Sequence, residues 1–115
     1  VRHYEGRLIN IHPSLLPHYK GLHTHRRVLA TGDRLHGCSV HFVNAELDGG
    51  PVIARGVIRV LPRDDEQMLT EKVHRVEHRL YPLVLSWMAS GRLVYREGRP
   101  LLDGMDSPEP VSLLF

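Results

Sequence analysis

Cysteine occurs once in these 115 residues, at Cys38, so no disulfide can close within the chain. A lone thiol suits a reducing compartment, and the expected location is cytoplasmic. Aromatic residues are scarce at 6%. No apolar run approaches the roughly 20 residues that cross a bilayer as a helix, and no signal peptide is visible at the start. A membrane partner is therefore not expected. Charge of one sign is not concentrated either: 15 Lys and Arg stand against 13 Asp and Glu, a net charge of +2 with histidine neutral. The arginines are scattered from Arg2 to Arg99 with no basic block interleaved with aromatics, which argues against nucleic-acid binding. An anionic small-molecule substrate stays compatible with this charge. Internal repeats are absent, and the length suits one small domain with a modest core.

The patterns that are present describe an α/β chain. Leu8 to His12 reads as a short strand, apolar on both faces at its start, of the kind found in buried parallel sheets. Pro13 to Gly21 is a loop with two prolines and a glycine. Leu22 to Ala30 is a helix stopped by Gly32. Cys38 to Val43 alternates, with Val40 and Phe42 on one side and Ser39, His41 and Val43 on the other. Pro51 to Leu61 is a second β-rich run, so residues 38 to 61 form two antiparallel neighbours joined by a loop over 44–50. Asp64 to Ala89 carries the stripe Leu69, Val73, Val76, Leu80, Leu83, Val84 and Trp87 of an amphipathic helix. Asp64 and Gln67 form a capping box, Pro82 bends the helix, and Gly91 ends it. Arg92 to Glu97 is a last strand, and residues 100–115, with three prolines, are an irregular tail. A buried-type first strand needs neighbours on both sides. The later β runs supply one side, so the expectation is a C-terminal portion, residues 1–115, of a larger single α/β domain.

Three side chains carry the chemistry. Asn10 and His12 lie two apart on one strand and share a face. Pro13 stops the ladder directly after them, which places the pair at a strand end. Asp48 comes from the loop that ends Gly49-Gly50-Pro51. An amide donor, an imidazole and a carboxylate suit stabilising an oxyanion and moving protons in acyl transfer. Each also has an ordinary reading. Asn10 could satisfy backbone groups, His12 is one of nine histidines and could pack against a carbonyl, and Asp48 before Gly-Gly is common turn chemistry. The spacing does not say that Asp48 reaches the other two. Glu77, at the edge of the helical stripe, could accept hydrogen bonds from substrate hydroxyls or simply pair with a neighbouring cation. His23-Thr24-His25, with His18, His36 and His41 nearby, invites a metal reading. Two positions apart on a helix face different ways, however, and no Cys pair or His-Glu-x-x-His spacing accompanies them, so no metal is expected.

Several separated motifs fall in one order: Asn10-Ile11-His12-Pro13-Ser14-Leu15-Leu16-Pro17, Gly21-Leu22-His23-Thr24-His25, His36-Gly37-Cys38-Ser39-Val40-His41-Phe42-Val43 and Glu46-Leu47-Asp48-Gly49-Gly50-Pro51-Val52-Ile53. Glu77-His78, Tyr81-Pro82-Leu83-Val84 and Leu102-Asp103-Gly104 continue the series. Together they resemble the phosphoribosylglycinamide formyltransferase family of purine biosynthesis. The resemblance implies a Rossmann-like formyltransferase fold, a mixed sheet with flanking helices, whose N-terminal half lies outside these residues. It implies formyl transfer from 10-formyltetrahydrofolate, as co-substrate, to the amine of glycinamide ribonucleotide.

By that resemblance Asn10, His12 and Asp48 are the catalytic residues. Asn10 and protonated His12 hold the oxyanion, His12 or an ordered water relays protons, and Asp48 favours the protonated imidazole. Asn10, Val43, Leu47 and Asp48 border the folate. Glu77 binds the ribose, with Ser14 and Pro13 near the phosphoribosyl end. His74 stands where related sequences are expected to carry Gln. The Gly-rich phosphate loop belongs to the other half, so the chain alone is expected to be inactive. The alternatives are formyltetrahydrofolate deformylase, with the same three groups but water as acceptor, methionyl-tRNA formyltransferase, and a non-catalytic His-rich metal-binding fragment.

Overall fold

Among the described residues, the alternating and helical periodicities become six strands and two helices. The structure is a computed structural model that describes residues 6–44, 49–105 and 109–115. In chain order the elements are β1 (Ile9–His12), α1 (Thr24–Thr31), β2 (Leu35–Phe42), β3 (Val52–Arg59), α2 (Glu66–Ala89), β4 (Leu93–Arg96), β5 (Arg99–Leu102) and β6 (Val111–Leu114). A mixed four-stranded sheet runs β1-β2-β3-β6, and β4 and β5 form a separate hairpin. β1 pairs antiparallel to β2 and β2 antiparallel to β3, whereas β6 adds parallel to β3.

Two expectations about these strands change. β1 pairs antiparallel to β2 rather than within a parallel set, and Asn10 on it is exposed. The stretch 100–115 is not irregular throughout: Pro100 sits inside β5 and Val111–Leu114 forms β6. Pro100 is tolerated because β5 lies at the edge of a two-stranded ribbon, where one missing donor costs little.

The core lies between the sheet and α2. Cys38, Val40, Phe42, Ile53, Ala54 and Ile58 from the sheet meet Leu69, Val73, Val76, Leu80, Val84 and Trp87 from the helix, with Val28 of α1 and Leu93 of β4 closing the cluster. Leu83, expected in the stripe, is partly exposed at 37%. It precedes Val84 by one residue, a rotation of about 100° that carries it off the buried face. Gly56 lets α2 approach. A Cβ there would stand 2.3 Å from Val76 Cγ1.

The start of α2 corrects the capping assignment. Asp65, not Asp64, is the N-cap, and its Oδ1 accepts from the Met68 N–H at 2.8 Å. Asp64 is buried and turns back instead. Its Oδ2 accepts from the Leu61 N–H at 2.8 Å and from Lys72 Nζ at 2.6 Å. Gln67 reaches Glu71 rather than the cap. Gly91, in the left-handed region at φ 77°, follows the C-cap Ser90 and returns its N–H to the Met88 carbonyl.

Candidate active site

Directly opposed residues of an antiparallel ladder project to the same face. Asn10 opposes His41 and His12 opposes Ser39, which in turn opposes Arg55 on β3. These five side chains therefore share one face of the sheet. Ile9, Ile11, Val40 and Phe42 take the other and join the core under α2. The alternation read from the sequence brings Asn10 and His12 onto one face, at the end of a strand.

The loop after His12 is built to hold that end still. His12 is 6% exposed. The Ser14 N–H turns back to the His12 carbonyl at 2.8 Å, and Thr24 Oγ1, from the first turn of α1, donates to the Pro13 carbonyl at 2.5 Å. Ser39 Oγ donates to the Ser14 carbonyl at 2.7 Å and accepts from the Leu16 N–H at 3.0 Å. The Arg55 guanidinium donates to the Leu16 carbonyl, through Nε at 3.0 Å and through a second nitrogen. Leu16 is buried beside them.

Ser14 is turned into this loop. Its side chain is fully buried, and its hydroxyl donates to the His18 carbonyl at 2.6 Å. Its hydroxyl proton is committed within the loop, where it staples residues 14–18. Pro13 is half-buried beside it.

His12 Nε2 lies 2.9 Å from the Tyr19 carbonyl. A carbonyl only accepts, so Nε2 carries the proton whether the ring is neutral or cationic. The Tyr19 carbonyl therefore sets both the tautomer of the neutral ring and its orientation.

Asp48 and Leu47 lie outside the described residues. The loop that carries them is fixed at both ends beside β1. The Val43 N–H donates to the Leu8 carbonyl at 2.9 Å, and the Phe42 N–H donates to the Pro51 carbonyl at 2.9 Å. Gly50 packs so tightly there that a Cβ would fall 1.7 Å from the Phe42 carbonyl oxygen. Glycine is thus required for closing the hairpin, apart from any turn preference. Val43 is half-buried at its entrance.

Glu77 borders a groove of about 340 Å³ with Ile11, His74, His78, Tyr81 and Pro82. His74 Nε2 stands 3.8 Å from Glu77 Oε1. Burial pushes the Glu77 carboxyl upward, while His74, His78 and His12 pull it down by their charge; the net shift is upward. Tyr81 ties this helix face to β1, its hydroxyl donating to the Ile9 carbonyl at 3.3 Å. Glu77 and His12 thus flank β1 from its two faces, the first beside Ile11 and the second beside Ser39.

His25 and His36 do not present themselves to solvent as a ligand pair. Their rings meet edge to face, with His25 Nδ1 2.9 Å from His36 Nε2. Among the described residues, no three His, Cys, Asp or Glu side chains gather as a metal site. No helix of the described residues is long and apolar enough to cross a membrane.

Sequence reasoning missed Thr24, Ser39 and Arg55 as supports of the loop, and it missed the Tyr19 carbonyl. Ser39 could have been found from its alternation with His41 once β2 was registered against β1. The Tyr19 contact is made by a backbone atom and leaves no mark in side-chain pattern.

Known proteins share this fold. A formyl transferase family model matches residues 1–85. The chain is 56% identical over 108 residues to the phosphoribosylglycinamide formyltransferase of Escherichia coli strain K12, an alignment covering 94% of this chain and 51% of that protein. It is 45% identical over 91 residues to the trifunctional purine biosynthetic protein adenosine-3 of Drosophila melanogaster, covering 79% of this chain and 7% of that one. Among solved structures, the phosphoribosylglycinamide formyltransferase of Coxiella burnetii superposes with a TM-score of 0.93 at 48% identity, over 97% of this chain and 53% of that chain. A formyltetrahydrofolate deformylase from Pseudomonas syringae superposes with a TM-score of 0.83 at 30% identity, over 88% of this chain and 34% of that chain. The chain spans about half the length of the bacterial formyltransferases it matches. With the match running from the first residue through β1, its loop and most of α2, the chain belongs to the formyl transferase family.

Proposed function

We propose that this chain carries the catalytic groups for transfer of a formyl group from 10-formyltetrahydrofolate to the amine of glycinamide ribonucleotide. The observation that carries the reading is His12: buried at a strand end, on the face of Asn10, with Nε2–H committed to the Tyr19 carbonyl. The amine attacks the formyl carbon, and charge develops on the formyl oxygen. The Asn10 amide and the protonated His12 ring donate to that oxygen as it becomes negative. The proton lost by the amine returns to the departing folate nitrogen through His12 or an ordered water. Asp48 favours the cationic imidazole. Val43 and Leu47, with the backbone of loop 44–50, border the pteridine, and Glu77 accepts from the ribose hydroxyls beside Pro13. Higher identity to the E. coli and Coxiella burnetii formyltransferases than to the deformylase supports an amine over water as acceptor.

The bacterial relatives are about twice as long, and a substrate must be positioned from both sides for transfer to be fast. The 115 residues alone are therefore expected to give no measurable turnover. The test is a chimera in which these residues replace the matching half of the E. coli relative. It should formylate glycinamide ribonucleotide, followed by mass spectrometry of the nucleotide product. His12→Ala in the chimera should lower kcat by about 10²–10⁴-fold with unfolding behaviour unchanged. Release of formate without a formylated nucleotide would replace the reading with deformylation. No reaction from a folded chimera would overturn it.

A further inference from the structure

The carbonyl that anchors His12 belongs to a loop residue, and Tyr19 adopts a backbone its side chain disfavours. Its φ is 55°, in the left-handed region, where bulky residues are rare and strain is kept only if the surroundings over-determine it. Three contacts do so. The Tyr19 hydroxyl donates to Asp33 Oδ2 at 2.5 Å. The Arg27 guanidinium lies 5.2 Å from the centre of the Tyr19 ring. The same guanidinium donates to the Lys20 carbonyl at 2.7 Å and the Leu22 carbonyl at 3.1 Å, just beyond Tyr19. Asp33 itself is fixed to the end of α1, its N–H donating to the Val28 carbonyl at 3.4 Å after the left-handed cap Gly32. The hydrogen bond to Asp33 also pushes the phenol upward from its ordinary value.

We propose that Tyr19 and Asp33 are positioning residues for His12: the Tyr19–Asp33 latch, braced by Arg27, aims the Tyr19 carbonyl at Nε2 and so holds the His12 ring in one orientation. Neither residue touches substrate. The latch spans α1, from the loop before it to the cap after it, so movement of that helix would be transmitted to the imidazole. Its catalytic consequence rests on the formyl-transfer reading; its effect on the His12 ring does not.

The experiment is therefore spectroscopic first. In the full chain labelled with ¹⁵N-histidine, the His12 Nε2–H proton should be observed and protected from solvent exchange. In Tyr19→Phe and in Asp33→Ala that proton should exchange about tenfold faster or more, as expected for loss of a hydrogen bond to a charged acceptor. The amides of Val28 and Leu29 should keep their protection. Asp33→Asn retains an oxygen acceptor and should restore most of the protection lost in Asp33→Ala. Unchanged His12 exchange in folded Tyr19→Phe overturns the proposal, as does an Asp33→Asn variant no better than Asp33→Ala. Should Tyr19→Phe not fold, the two Asp33 variants are read by the same criteria. In the chimera, Tyr19→Phe should lower kcat about tenfold and leave KM within about twofold, the pattern of an effect confined to the transition state. A chimera without transfer but with latch-dependent exchange overturns the formyl-transfer reading and leaves the latch standing.

Discussion

His36 and Glu77 are both withdrawn from water, and burial moves them in opposite directions. The His36 ring is 1% exposed, and burial, followed by the neighbouring His25, lowers it to about 4 from an ordinary 6.5. Burial lowers His25 as well. Above pH 6.5 neither the folded nor the unfolded chain protonates His36, and the fold keeps its full stability. As the pH falls from 6.5 toward 4, the unfolded chain takes the proton first and stability drains away, by on the order of 3 kcal/mol for this one group. Urea unfolding at pH 7, 5.5 and 4.5 should show the loss, and His36→Gln should show a shallower one across that window. Equal slopes in both proteins would mean that His36 does not control it. Glu77 has the reverse sign: its raised carboxyl is comfortable neutral at low pH and opposes folding once ionised. A carboxylate kept at that cost beside a groove fits a residue retained for binding. None of this was legible from sequence. His36 and Glu77 were visible as residue types, but desolvation depends on what packs over them.

At the scale of elements, local chemistry predicts best where one element satisfies itself. The span of α2 and most of its buried stripe follow from period and caps. The choice between Asp64 and Asp65 as cap does not, because both can accept a backbone N–H. Asp64 is taken by Leu61 and Lys72, which leaves Asp65 for Met68. β6 escaped notice for a related reason. Four residues gain strand geometry only by pairing parallel with β3, more than fifty residues earlier in the chain. The contact of α2 with the sheet rests on Gly56. Gly56→Ala would place a Cβ 2.3 Å from Val76 Cγ1, and overpacking of this kind costs about 1–3 kcal/mol. The midpoint of urea unfolding should fall accordingly. A midpoint unmoved by the substitution would show that the helix can ride outward freely.

For the molecule as a whole, Cys38 reports on the integrity of the core. It is fully buried between the sheet and α2, and burial, then the charge of Glu77, pushes its thiol up to about 12. A disulfide reagent should label it at least about 10³-fold more slowly than a free thiol, at a rate set by opening of the whole core. Labelling as fast as an unfolded peptide would mean that the layers separate locally. The sequence by itself determined the strand that pairs Asn10 with His12, the loop that begins after them, the long amphipathic helix and the α/β class. Each of these depends on residues within a few positions of one another, where period, proline and capping act. The tertiary structure alone decided that β6 joins β3, that Ser14 faces inward, that Glu77 and His12 flank β1 from opposite faces, and that Tyr19 assigns the proton on His12. Those outcomes arise when distant segments exclude water from the same polar atoms, and no short stretch of chain encodes which atoms will meet.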